Sequence, residues 1–144
     1  MKGRRGPPRE DPGAELVRAA RAARRRAYAP YSRFRVGAAV QAKGQVFSGA
    51  NVENASYGLT LCAERVAVAE AALAGARRLE ALAVASGTAP PTPPCGMCLQ
   101  ALAEFAGPDL VVLLAGAGGA VTTTSLGELL PRGFGRSYLG RSGV

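Results

Sequence analysis

The sequence contains no histidine, and this absence restricts the metal chemistry open to the protein. Its cysteines number three, at Cys62, Cys95 and Cys98. A zinc ion bound here would take three thiolates and leave its fourth tetrahedral position free, unless an Asp or Glu completed a structural site. An open position is typical of catalytic zinc, on which a water molecule ionises at a pKa of about 7.

Long apolar runs are also missing, since no run reaches the roughly 18 to 20 residues of a membrane span. The segment 1–8 lacks the apolar stretch of a secretory signal. An odd number of cysteines is a poor disulfide framework and fits metal ligation in a reducing compartment. We therefore expect a cytoplasmic protein that does not enter membranes. A thioredoxin-like redox pair is the alternative for Cys95 and Cys98, but it leaves Cys62-Ala63-Glu64 unexplained.

Acidic residues are scarce, 10 against 18 lysines and arginines, for a formal charge of +8. The excess lies within the first 30 residues, which carry nine basic and three acidic side chains. Such a run is more often a solvated face than a binding surface, although RNA or an acidic partner is the alternative. The charged, proline-containing segment 1–13 is predicted to be a disordered basic leader, and residues 14–144 a single domain.

Apolar periodicity predicts helices and strands that alternate along the chain. Helices are expected over 14–28, 61–74 and 95–106, with a short helix after the capping box Ser125-Leu126-Gly127-Glu128. Strands are expected over 33–41, 45–49, 80–86, 110–115 and 120–124, and the first two form a hairpin around Lys43-Gly44. This pattern indicates an α/β fold in which helices cover a mixed sheet.

The cysteines stand where predicted helices begin. Free backbone N–H groups and the positive end of the helix dipole favour thiolate over thiol at such positions. Two facing helix starts could offer sulfurs to one zinc ion at about 2.3 Å, leaving a net charge of about −1. Arg65 is expected to offset that charge by donating to a thiolate.

Glu64 lies two residues after Cys62 and is the candidate proton carrier. By itself it could be an ordinary surface glutamate. Together with Pro94-Cys95-Gly96-Met97-Cys98, however, Cys62-Ala63-Glu64 matches the zinc-deaminase signature in which cysteine can replace histidine. The sequence therefore predicts hydrolytic deamination, with Glu64 as the catalytic acid and base.

Several motifs in order resemble the small homotetrameric cytidine deaminases of nucleoside salvage, over about residues 15–135. The matching segments are 31–39, 49–58, 62–65, 94–100 and 129–135. The resemblance implies a three-layer α/β/α sandwich with a mixed five-stranded sheet and a Zn²⁺ ion held by Cys62, Cys95 and Cys98. The chain departs from the family at Leu99, where arginine is common. Salt bridges and subunit contacts that such an arginine makes are therefore not expected here.

The same resemblance implies how a nucleoside is bound. It assigns substrate contacts to Phe34, Asn51 and Glu53. Separately, backbone groups near Ala63 and Cys95 are expected to contact the base. It further implies that Phe134 closes the pocket of a neighbouring subunit, and that Tyr57 reaches an adjacent subunit.

Residue chemistry supports the nucleoside contacts. Asn51 and Glu53 would project to one side of an extended segment, where they could pair with ribose hydroxyls while Phe34 offers a face to the base. The alternative is that Asn51 is a turn residue and Phe34 belongs to the core.

The expected reaction converts cytidine and deoxycytidine into uridine and deoxyuridine with release of ammonia. Related possibilities are an aminohydrolase for a cytosine-containing antibiotic, of the blasticidin type, and a deaminase of bases within RNA or DNA. A zinc-binding module without activity is the remaining alternative, which an intact Glu64 argues against.

Overall fold

Helices and strands alternate along residues 11–140, the part of the chain that the computed structural model describes. The helices are α1 (Pro12–Arg24), α2 (Ala63–Leu73), α3 (Gly96–Phe105) and α4 (Leu126–Leu129). The strands are β1 (Gly37–Ala42), β2 (Gln45–Ala50), β3 (Ala81–Ala85), β4 (Val111–Ala115) and β5 (Val121–Ser125). Each predicted element is present, with bounds that differ by a few residues.

The five strands form one mixed sheet in the order β2-β1-β3-β4-β5. β3 and β4 run parallel, whereas the other neighbouring pairs are antiparallel. Lys43 and Gly44 form the turn between β1 and β2, both with positive φ. The mixed five-stranded sheet agrees with the prediction.

Helices cover both faces of the sheet. Along β1, Val40 joins the larger core, which lies between the sheet and the helices α2 and α3. The adjacent residue Ala39 points to the opposite face of the sheet, where it joins the smaller core with Leu16 and Ala20 of α1. This alternation is the period of two expected of a strand buried on both faces. The three-layer α/β/α sandwich is thereby confirmed.

Close contact between α1 and the sheet depends on a glycine. A Cβ at Gly37 would lie 2.0 Å from the carbonyl oxygen of Ala20, so a larger residue there would push the helix away. The last turn of α1 consequently sits directly against the start of β1.

The first helix differs from its predicted bounds at both ends. It begins at Pro12 because Asp11 accepts a hydrogen bond from the N–H of Gly13 and proline suits the first helical position. It ends at Arg24 rather than at residue 28, because the N–H of Tyr28 donates to the carbonyl of Asn51. Pairing with a distant segment thus replaces the last predicted turn.

The predicted strand 33–41 begins only at Gly37. Arg33 has a φ of 58°, which interrupts an extended conformation. Residues 34–36 instead form a loop before β1. This loop becomes part of the candidate site described below.

The predicted leader falls mostly outside the described residues, which begin at residue 11. Its last residues, 11–13, form the N-cap and the first turn of α1. Within residues 11–140, no helix combines the length and the apolar character needed to cross a membrane.

Candidate active site

Three sulfur atoms meet where α2 and α3 begin. Cys62 and Cys95 are the N-cap residues of the two helices, and Cys98 lies in the first turn of α3. Their Sγ atoms all lie within 4.8 Å of one another. The Cys62–Cys95 separation is 3.9 Å and the Cys95–Cys98 separation is 3.5 Å.

These separations fit a tetrahedral zinc ion. Two sulfurs bonded to zinc at about 2.3 Å with tetrahedral angles stand about 3.8 Å apart. Within residues 11–140, the cluster of possible ligands contains these three sulfurs and no carboxylate. The donor set therefore suits zinc with an open fourth position and does not form a closed structural site.

Local charges favour a thiolate at Cys62. A hydrogen bond from the Cys98 thiol, assisted by Arg65, lowers the pKa of Cys62 to about 5. The same shared hydrogen bond, together with burial, raises the pKa of Cys98. Nη2 of Arg65 lies 3.9 Å from Sγ of Cys62 and 2.9 Å from the carbonyl oxygen of Thr60. The guanidinium is thus anchored beside the sulfur whose charge it offsets.

Glu64 lies in the first turn of α2 with 4% of its surface exposed. Burial raises the pKa of its carboxyl group above the ordinary value of 4.5. A buried glutamate in this position is not the surface residue that the alternative interpretation required. Its side chain can hold a proton or release it beside the three sulfurs.

A cavity of about 550 Å³ opens onto Glu64 and the sulfurs. Its walls are formed by sixteen residues: Tyr31, Ser32, Phe34, Val36, Asn51, Glu53, Tyr57, Thr60, Leu61, Cys62, Ala63, Glu64, Val84, Thr92, Pro93 and Cys95. The volume lies in the range of small-molecule sites. The predicted residues Phe34, Asn51, Glu53 and Ala63 all line this one cavity.

Asn51 spans the loop that carries Phe34. Its Nδ2 donates to the carbonyl oxygen of Phe34, and its Oδ1 accepts from the N–H of Val36, each at 2.8 Å. The amide therefore holds residues 34–36 in place, while 43% of the Phe34 surface stays exposed at the cavity. Phe34 is accordingly not a core residue.

Glu53 holds the preceding part of the same loop. One carboxylate oxygen accepts from the N–H of Tyr31 at 2.8 Å, and the carboxylate also accepts from the N–H and the hydroxyl of Ser32. The Ser32 hydroxyl is the largest cause that holds the pKa of Glu53 below its ordinary value, with the two N–H groups adding to it. Glu53 is therefore a carboxylate at neutral pH.

Tyr57 and Phe134, which were predicted to act across a subunit boundary, are both exposed on the surface of the chain. Tyr57 is exposed at the cavity rim and contacts Tyr31 edge to face, with ring centroids 6.0 Å apart. Phe134 does not line the cavity of its own chain. It is exposed and stacks on Tyr138 at 5.6 Å, and its carbonyl oxygen accepts from Nε2 of Gln100 on α3. Their predicted roles across a subunit boundary remain predictions.

Three serine and threonine residues of the cavity, Ser32, Thr60 and Thr92, were not predicted from the sequence. Ser32 pairs with Glu53, and Thr92 lines the wall three residues before Cys95. Thr92 lies between prolines, in a segment to which no element was assigned from the sequence. The sequence feature that could have indicated a role for this segment is the group of hydroxyl residues Ser86, Thr88 and Thr92. In the structure, Thr88 is hydrogen-bonded to both Ser86 and Thr92.

Leu99 replaces the expected arginine with a core side chain. It is buried and packs into the larger core beneath α3. A leucine here contributes apolar burial where an arginine would have required a charged partner.

Comparisons with known proteins agree with this site. The family described as "Cytidine and deoxycytidylate deaminase zinc-binding region" matches residues 12–114. A cytidine deaminase of Halalkalibacterium halodurans is 49% identical over 120 residues, which cover 83% of this chain and 91% of that protein. A cytidine deaminase of Mycobacterium tuberculosis is 47% identical over 116 residues, covering 80% and 84%.

A solved structure extends the agreement to the fold. The crystal structure of cytidine deaminase from Burkholderia pseudomallei superposes with a TM-score of 0.81 at 51% identity, covering 84% of this chain and 98% of that one. The alternative of a thioredoxin-like redox pair is therefore wrong. The chain belongs to the cytidine and deoxycytidylate deaminase zinc-binding family.

Proposed function

We propose that the protein deaminates cytidine and deoxycytidine by zinc-dependent hydrolysis, as part of pyrimidine salvage. The observation that carries this proposal is the position of Glu64, buried beside three sulfurs with zinc-ligand spacing and open to a cavity of nucleoside size. The family and the cytidine deaminase relatives support the same reaction.

Glu64 carries the protons of the reaction. Cys62, Cys95 and Cys98 would hold a zinc ion, which would supply Lewis-acid activation of the attacking water. Glu64 accepts a proton from that water as its oxygen adds to C4 of the cytosine ring, and passes the proton to N3. It then moves the hydroxyl proton of the tetrahedral carbon to the exocyclic amine. The C4–N bond breaks, and ammonia and the uracil product result.

The remaining cavity residues bind and orient the nucleoside. Phe34 offers its exposed ring to the base, and backbone groups near Ala63 lie beside the sulfur cluster. Asn51 and Glu53 use part of their bonding capacity on the loop 31–36, and further lone pairs and an amide hydrogen are available for ribose hydroxyls. These residues thus both shape the cavity and contact the sugar.

The charge of the cavity favours a nucleoside over a nucleotide. Among the described residues, the lining contains the acidic side chains Glu53 and Glu64 and the thiolate-forming Cys62, and it contains no lysine or arginine. A 5′-phosphate would meet negative charge without a cationic partner. The family name includes deoxycytidylate, but this lining supports the unphosphorylated substrate.

The active form is proposed to be a homotetramer in the cytoplasm. Leu73 is 90% exposed, and Val52 and Leu61 are also exposed beside a second groove, of about 580 Å³. Apolar surface of this kind marks contacts between protein chains. Three unpaired cysteines suited to metal binding support a reducing compartment.

Substitution of Glu64 by glutamine tests the reaction. Glu64→Gln keeps the shape of the side chain but cannot carry the proton, so kcat for cytidine should fall about 10²- to 10⁴-fold. Zinc content should stay that of the native protein, because Glu64 is outside the sulfur cluster. Deamination is followed by the ultraviolet absorbance change, with metal content measured on the same samples.

The matched control is Glu80→Gln, which changes an exposed glutamate outside the cavity and should behave as the native protein. Native turnover by the Glu64→Gln variant would contradict the proposed mechanism. A zinc-loaded native protein inactive on both nucleosides would contradict the proposed substrate.

A further inference from the structure

We propose that Arg24, at the end of α1, is a positioning residue that joins two segments of the cavity wall. The residue lies outside the cavity lining and outside every motif that the sequence analysis singled out for chemistry. Its guanidinium contacts the loop 31–36 and the segment 86–93. The proposal rests on the proposed function for its kinetic consequences.

The first contact fixes the loop that carries Phe34. Nε of Arg24 donates to the carbonyl oxygen of Arg35 at 3.0 Å. The backbone groups on either side of that carbonyl, those of Phe34 and Val36, are bonded to the Asn51 side chain. Arg24 therefore binds the one carbonyl of residues 34–36, that of Arg35, which Asn51 does not contact. Residues 34–36 are thus held by two separate side chains.

The second contact is with Gly87, directly after β3. A Cβ at Gly87 would lie 2.4 Å from Nη2 of Arg24 and 3.3 Å from its Cζ. The guanidinium thus occupies the space that a side chain at residue 87 would need. The absence of a side chain at residue 87 lets α1 reach this segment.

The segment after Gly87 is itself a bonded unit. Thr88 Oγ1 lies 3.0 Å from Ser86 Oγ and 2.7 Å from Thr92 Oγ1. Thr92 and the next residue, Pro93, line the cavity and lead to the zinc ligand Cys95. A shift of Gly87 would therefore be transmitted to the wall at Thr92.

Both contacts require the planar fork of arginine. Nε bonds one segment while Nη2 packs on the other, so one rigid group sets the distance between them. A lysine ammonium is a single point at the end of a flexible stem and cannot make both contacts. The geometry points to a role in substrate affinity, because the contacted segments carry Phe34 and Thr92 and not the proton carrier.

Two independent substitutions break the same contact. Arg24→Met keeps the stem of the side chain and removes the fork, whereas Gly87→Ala introduces a methyl group where the fork lies. Each should raise KM for cytidine about 5- to 20-fold, with kcat changed less than about twofold and zinc content unchanged. Arg24→Lys should be impaired like Arg24→Met. Arg25→Met, a neighbouring exposed arginine, is the matched control and should keep the native KM.

The double variant distinguishes one shared contact from two separate defects. If Arg24 and Gly87 act through the same contact, the double variant should have the KM of Arg24→Met alone. The proposal would be overturned if the KM increases of the two single variants multiplied in the double variant, or if either single variant kept the native KM. It would also be overturned if Arg24→Lys restored the native KM, or if the variants lost kcat and zinc content equally.

Hydrogen exchange provides a measurement that does not depend on turnover. Amide exchange in peptides covering 31–37 and 86–93 should become faster in Arg24→Met and Gly87→Ala, and stay native in Arg25→Met. Unchanged exchange in both peptides would also overturn the proposal. A native protein without deaminase activity would refute the proposed function, while the exchange data would still decide whether Arg24 holds the two segments.

Discussion

Asn51 and Glu53 do more than their positions in the sequence indicated. Both were predicted to bind substrate, and both line the cavity. Their side chains also accept and donate hydrogen bonds along residues 31–36, so they shape the wall that they belong to. A substitution at either position should therefore change stability and substrate affinity together.

Glu53→Gln should reveal both contributions. The folded-state pKa of Glu53 lies below the ordinary value of 4.5, so the carboxylate stabilises the fold above about pH 4.5. That contribution disappears as the pH falls through the folded-state pKa. The Tm of Glu53→Gln should therefore be below native at pH 7, and the difference should shrink toward pH 3. KM for cytidine at pH 7 should rise about tenfold or more, through loss of a charged acceptor.

Thermal unfolding between pH 3 and pH 7, beside steady-state kinetics, provides the measurements. Glu80→Gln serves again as the exposed control and should follow the native Tm at each pH. A Tm difference for Glu53→Gln that stays constant over this range would exclude the carboxylate as its source.

At the scale of elements, helix ends place the functional groups. α2 begins with Cys62 as its N-cap and Glu64 in its first turn, and α3 begins with Cys95 as its N-cap. Neither N-cap side chain accepts a capping hydrogen bond from a backbone N–H of its own helix. The sulfurs consequently remain free for a metal, and the helices give up a capping bond that serine or aspartate would have provided.

The short helix α4 shows the opposite arrangement. Ser125 accepts from the N–H of Glu128 at 3.2 Å, and Glu128 accepts from the N–H of Ser125 at 3.1 Å. This capping box was predicted from the sequence and is confirmed. It fixes the turn that inserts the buried Leu126 into the larger core.

Ser125→Ala should destabilise the protein by about 1 kcal/mol, because it removes the side-chain acceptor of the cap. Urea unfolding at one fixed protein concentration provides the measurement. Ser125→Thr retains the hydroxyl and should lose much less. Equal stability of the alanine and threonine variants would show that the cap does not stabilise this region.

At the scale of the whole molecule, Phe134 and Tyr138 form an aromatic pair that is exposed to solvent near the C-terminus. Phe134 and Tyr138 stack on each other, and Nε of Arg136 donates to Glu104 at 3.0 Å, which holds the segment against α3. A structured but exposed aromatic pair suits contact with another copy of the chain. This arrangement is consistent with the predicted closure of a neighbour's cavity by Phe134.

Mixed oligomers test that closure. Phe134→Ala and Glu64→Gln should each be weakly active alone, for different reasons. When the two chains are co-expressed with different tags and the hybrids are purified, Glu64 of one chain can be completed by Phe134 of the other. Activity of the hybrids well above the sum of the parents is expected; activity no greater than that sum would contradict a shared site.

Local patterns in the sequence were enough to predict the order of elements and to propose the chemistry. Cys62, Cys95 and Cys98 could be proposed as zinc ligands, and Glu64 as proton carrier, because metal ligation and proton transfer need particular residue types at fixed local spacing. The helices and strands could be predicted because apolar periodicity is also a local property.

The way in which distant segments meet became visible only in the folded chain. The helix α1 stops at Arg24 because the chain beyond it pairs with residues around Asn51, which no local pattern indicates. The loop 31–36 is held by Asn51 and Glu53, which follow it by 15 to 22 residues, and by Arg24 at the end of α1, which fits because residue 87 has no side chain. Contacts of this kind depend on three-dimensional packing: the motif that marked Asn51 and Glu53 did not reveal their bonds to the loop, and Arg24 was not marked by any motif.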